Sequence, residues 1–86
     1  MKFQGSLIKE QGVTFAIVIV KRHILNCSTE AEKAIRSFRT VFGYTPIVLM
    51  AQDTSGTPTW YGRTDIVRFL RNVPMHAIPW KEYTVG

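Results

Sequence analysis

The chain predicts a small two-layer α+β domain: ββαββα followed by an extended C-terminal tail, with a mixed β-sheet carrying both helices on one face. Three features carry that prediction. Two short apolar runs, TFAIVIV at 14–20 and IVLMA at 47–51, are rich in β-branched residues and too brief for buried helices. Between them, Ala31, Ala34, Ile35, Phe38, Val41 and Phe42 recur at three- and four-residue spacing, the stripe of an amphipathic helix. The stretch TPTWYGRTDIVRFLRN at 57–72 then reads as a strand, a glycine turn and a second, shorter helix. With 86 residues there is room for one domain, 1–86, with one core.

Each element follows from local chemistry. Phe3 to Ile8 forms a first strand, with Phe3 and Leu7 on one face, and Gln11-Gly12 supplies the hairpin turn. Thr14 to Val20 is a strand with bulky residues on both sides, so it is central or covered twice. Lys21, Arg22 and His23 end its apolar character, and Ile24-Leu25-Asn26 reads as strand and loop. The first helix begins near Thr29, where Thr29 and Glu32 make a capping-box pattern, and Gly43 ends it. After Ile47–Ala51, Asp53-Thr54-Ser55-Gly56 makes a hairpin loop, and Thr57 to Tyr61 returns as an edge strand because Pro58 has no N–H to donate. Gly62 lets the backbone turn. The second helix runs from Asp65 to Asn72, capped by Thr64, with Ile66, Phe69 and Leu70 inward and Arg68 and Arg71 outward. Pro74 stops it, and 76–85 is an extended tail.

Omitting the first strand leaves βαββαβ, the order of ferredoxin-like domains, but a tight N-terminal hairpin would displace a neighbour of that fold's central strand. A mixed sheet with both helices on one face avoids the conflict. Its other face then needs cover, from the tail or from a second subunit, so homodimerisation is expected.

Composition bounds the function. Net charge is +5 with a pI near 9.8, which favours anionic partners such as nucleic acid. The lone cysteine, Cys27, rules out an intrachain disulfide and a cysteine-rich zinc site and points to a reducing compartment. The N-terminus lacks the apolar segment of a secretory leader, and the longest apolar run, Phe15–Val20, is far below the ~18 residues of a membrane span. A soluble, cytoplasmic protein is the expectation.

Catalytic signatures are missing. There is no G-x-S-x-G, no P-loop and no G-x-G-x-x-G; neither His23 nor His76 has a partner at metal-ligand spacing. The expectation is a non-enzymatic protein that binds no metal or cofactor. Two candidate sites remain. Trp60, Arg63, Arg68 and Arg71 combine an aromatic face with guanidinium groups, the chemistry that holds single-stranded nucleic acid or another anion, and Lys33, Arg36 and Arg39 add charge on the first helix. Successive strand residues point to opposite faces, so Trp60 and Tyr61 do not both line one platform. The alternative reading of such a basic helix face is an ordinary solvated surface.

The second candidate is Cys27 with His23, a thiol placed just before a helix N-terminus beside positive charge. Thr45-Pro46-Ile47-Val48-Leu49, followed by a glycine-turn hairpin and a helix, resembles the C-terminal half of thioredoxin-like domains, although the chain has no C-x-x-C. That resemblance implies a Thr-Pro, often with a cis proline, opposite a redox-active Cys27. Residues 62–70 are also similar to the helix opening of an ankyrin repeat, but no second copy occurs at the required spacing. Three functions are therefore carried forward: an anion- or nucleic-acid-binding module, a structural or regulatory homodimer without small ligand, and a thiol-dependent protein.

Overall fold

The computed structural model describes residues 2–10 and 12–85. They form β1 (Lys2–Glu10), β2 (Val13–Ile19), α1 (Arg22–Leu25), α2 (Ser28–Phe42), β3 (Ile47–Gln52), β4 (Pro58–Tyr61), α3 (Thr64–Leu70), a 3₁₀ turn (Met75–Ala77) and β5 (Lys81–Thr84). The result is a small α+β domain with a five-stranded mixed sheet in the order β4-β3-β2-β1-β5.

The β1–β2 hairpin is antiparallel, with Gly5 opposite Val18 and Glu10 opposite Val13. Gly12 has a φ of 78°, as a tight turn demands; Gln11, the other expected turn residue, lies outside the described residues. β2 and β3 are parallel direct neighbours, Ala16 opposite Ile47, and such a pair needs a long crossover. Residues 20–46 supply it with α1 and α2. Direct adjacency also separates this sheet from the ferredoxin-like split βαβ order. β4 returns antiparallel to β3 and is an edge strand, as Pro58 requires.

The sheet is covered on both faces from within the chain, which corrects the expectation that both helices share one face. Ala16, Val18, Ile47 and Leu49 pack with Ala31, Ile35 and Phe38 of α2. Their alternates Phe15, Ile17, Val48 and Met50 pack with Ile66, Val67 and Leu70 of α3 and with Ile78. The 3.6-residue period of a helix reveals which stripe turns inward, but not which side of the sheet receives it. The tail contributes as well: Val73, Met75, Trp80 and Ile78 close the α3 face. Trp80 Nε1 donates to the Met75 carbonyl at 3.2 Å. The ground on which a second subunit was expected is therefore gone.

Several boundaries also differ. α2 starts at Ser28, one residue before Thr29, and no capping box forms: Cys27 stands at the N-cap without a side-chain hydrogen bond, and its carbonyl accepts the Ala31 N–H at 3.0 Å. Gly43 closes the helix, its N–H bonding to the Arg39 carbonyl at 2.8 Å. α3 begins at Thr64 and ends at Leu70, with Arg63 at its N-cap and no cap bond from Thr64. Arg22–Leu25 is a single helical turn rather than strand and loop. The tail, expected to be merely extended, pairs as β5 with the first half of β1, Lys2 opposite Thr84 and Gly5 opposite Lys81. Tyr83 thereby stacks on Phe3 at 5.1 Å between ring centroids. At the 53–57 loop the hairpin forms as expected, held by Asp53 Oδ1, which accepts from Ser55 N, Ser55 Oγ and Thr57 N at 2.7–2.9 Å. These bonds keep the Asp53 carboxyl below its ordinary pKa.

Candidate anion-binding groove

The site is set by the junction of β4 and α3. Along β4 the side chains alternate, and the expected split of the aromatic pair is observed. Trp60 packs on the α3 face and Tyr61 on the α2 face. Trp60 is half-buried: it packs against the core and also lines hollows at the surface. Gly62 then brings the chain against β3. Its φ is not positive, so what requires glycine there is space rather than a turn conformation: a Cβ would meet Val48 Cγ2 at 2.9 Å and the Val48 Cα at 3.1 Å.

That close approach places the first turn of α3 beside Trp60. Ile66, Val67 and Leu70 are buried, which leaves Arg68 and the following Arg71 on the outer side. Trp60, Thr64, Val67, Arg68 and Arg71 line a shallow groove of about 400 Å³. Arg71 also borders a second hollow across Trp60, with Thr57 and Val73. Neither Arg68 nor Arg71 makes an ion pair among the described residues, the two such pairs being Lys33–Glu30 and Arg63–Asp65. No carboxylate among the described residues competes with an external anion for either guanidinium group.

Arg63 does not join them. Its guanidinium grips Asp65 through two bonds, Nε to Oδ1 at 2.9 Å and Nη2 to Oδ2 at 2.7 Å. The fork holds the Asp65 carboxyl down at about 2 and raises the Arg63 pKa, chiefly through these hydrogen bonds. Arg63 lies instead along a separate groove with Arg39, Tyr44 and Tyr61. In that groove the Tyr61 hydroxyl donates to Glu32 Oε1 at 2.9 Å, which raises the tyrosine's pKa. Of the four sequence candidates, the structure brings Trp60, Arg68 and Arg71 together and sets Arg63 aside. Tyr44, wholly exposed next to Arg39, is an element the sequence does not advertise: a single tyrosine after the helix-ending Gly43 carries no pattern.

The thiol candidates are placed differently. Cys27 is exposed at the N-cap of α2 and His23 is exposed on α1, with no hydrogen bond between them among the described residues. Thr45-Pro46 follows the far end of the same helix, so the 15 residues of α2, ~22 Å at 1.5 Å per residue, separate it from Cys27. Pro46 follows a trans peptide. The face-to-face Thr-Pro and cysteine that the thioredoxin-like resemblance implies is not formed.

Among the described residues no three His, Cys, Asp or Glu side chains gather closely enough to hold a metal ion, and no helix is long and apolar enough to cross a membrane. Comparison with protein-family models, curated proteins and solved structures yields no match.

Proposed function

We propose that this protein is a non-catalytic binding module whose Trp60–Arg68–Arg71 groove takes a nucleic acid or a related anion. One observation carries the reading: two guanidinium groups without carboxylate partners among the described residues flank a half-exposed indole. Arg68 in the last turn of α3 and Arg71 at its C-cap, spaced i and i+3, lie on one side and suit phosphate oxygens. The indole offers a π face to a base, and such stacking contributes about 1–3 kcal/mol per base. The overall charge of +5 raises the local concentration of a polyanion and speeds its encounter.

The reading is tested by mobility shift of a fluorescent oligothymidylate at low salt, comparing the wild-type chain with the Arg68→Glu/Arg71→Glu variant. Both positions are exposed, so the variant keeps its core. Loss of the shifted band in the variant supports the groove; an unchanged band removes it.

A further inference from the structure

The two grooves on either side of β4 are one surface. The Trp60–Arg68–Arg71 groove and the groove holding Arg39, Arg63 and Tyr44 share Tyr61 and Gly62 as lining residues. They therefore meet where the chain passes from β4 into α3, at the edge of the sheet. Trp60 serves the α3 side of this edge. On the α2 side the corresponding aromatic is Tyr44, wholly exposed in a chain that otherwise buries or half-buries every aromatic ring among its described residues. Arg39, like Arg68 and Arg71, has no ion-pair partner among the described residues.

Building on the binding function proposed above, we infer that Tyr44 and Arg39 form a second contact point. The ligand is then a single-stranded nucleic acid that wraps the β4 edge from Arg71 to Tyr44, rather than a mononucleotide or inorganic phosphate. A polymer is needed because the two aromatics line different grooves, Trp60 on the α3 side of the sheet and Tyr44 on the α2 side. The path carries four guanidiniums (Arg39, Arg63, Arg68 and Arg71) against two carboxylates, Glu32 and Asp65. Each carboxylate is engaged locally: Glu32 by the Tyr61 hydroxyl and Asp65 by Arg63. The surplus is positive at both ends, where Arg71 and Arg39 stand. Single strands are recognised in this way, by a basic track with aromatic platforms at intervals.

The two contact points predict a length dependence. A four-nucleotide thymidylate engages one platform at a time, whereas a twelve-nucleotide strand engages both and gains from the effective concentration of the second contact. Binding is measured by fluorescence anisotropy of labelled strands at low salt, with helicity and thermal melting as folding controls. Tyr44→Ala removes an exposed side chain and leaves the core intact. It is expected to weaken the 12-mer by about 5- to 150-fold while leaving the Trp60 site's affinity for the 4-mer in place. Arg39→Gln, which keeps the helix and removes the charge, acts in the same direction.

If Tyr44→Ala and Arg39→Gln leave the 12-mer unchanged while Arg68→Glu/Arg71→Glu abolishes binding, the second contact point is refuted and the groove of the proposed function stands. If the arginine reversal leaves both strands bound as before, or the wild-type chain binds neither, the groove itself is wrong and the wrapped strand goes with it. Inorganic polyphosphate serves as the base-free probe. Equal affinity for it in the wild-type and Tyr44→Ala proteins, matching that for the 12-mer, overturns the assignment of bases as the recognised group.

Discussion

Gly62→Ala should destabilise the protein although the position is exposed and its backbone is one that alanine adopts readily. The added Cβ would stand 2.9 Å from Val48 Cγ2, 3.1 Å from Val48 Cα and 3.2 Å from the Ile47 carbonyl oxygen. Val48 is wholly buried near the start of β3, a strand between β2 and β4, so it has nowhere to withdraw. Overpacking of this kind costs about 1–3 kcal/mol. For a domain of this size each kcal/mol lowers Tm by roughly 4–8 °C, so a drop on the order of 5–20 °C is expected. A double-mutant cycle locates the cause. Val48→Ala alone empties part of the core and costs about 2 kcal/mol. In the double variant the closest contact no longer exists, so the loss should fall at least ~0.5 kcal/mol short of the sum of the singles. Rescue stays partial because the Val48 Cα and the Ile47 carbonyl remain in place. The assay is urea unfolding followed by circular dichroism. Gly62→Ala melting with the wild type, or two costs that simply add, would refute the claim that this glycine is required by close approach.

Three further outcomes are expected. The Asp65 carboxyl, held by Arg63 at about 2 instead of 3.8, binds its proton later in the folded state; its contribution is therefore present above pH ~4 and lost as pH falls from 3.8 towards 2. Carboxyl NMR titration should show that low midpoint and Arg63→Gln should return it to normal, whereas a midpoint at 3.8 in the wild type contradicts the fork. Tyr83→Ala removes ring contacts to Phe3 and Phe42 at 5.1 and 5.4 Å, worth about 1–3 kcal/mol together, and hydrogen exchange should then open the Lys2–Gly5 pairing before the rest of the sheet. Ser6, buried with its Oγ donating to the Pro79 carbonyl at 3.1 Å, anchors the tail to β1; Ser6→Ala should cost about 1 kcal/mol in chemical denaturation, and no loss would show that bond to be idle.

The elements legible in the sequence are those whose signal is local and repeated. TFAIVIV, IVLMA and the Ala31–Phe42 stripe each give several residues agreeing on one period, and Asp53-Thr54-Ser55-Gly56 carries its turn chemistry in its own side chains. What escaped depends on distant parts of the chain. A four-residue helix such as Arg22–Leu25 is too short to show a period. The sheet face chosen by α3, and the pairing of Lys81–Thr84 with Lys2–Gly5, are decided by tertiary packing across most of the chain length. At the site, strand alternation correctly parted Trp60 from Tyr61, because a two-residue period needs no tertiary information. The capture of Arg63 by Asp65 and the exposure of Tyr44 rest on side-chain direction, which composition does not encode.

The central claim, that Arg68 and Arg71 meet the phosphates of a nucleic acid, is tested most directly by the salt dependence of binding. For a single strand, log K falls with log salt by ~0.7 per phosphate neutralised. Replacing both residues with glutamine should therefore make the slope shallower by about 1.4 relative to the wild-type protein on the same oligonucleotide. A slope identical in the two proteins would contradict the account, because the groove beside Trp60 would then not be where the charge is met.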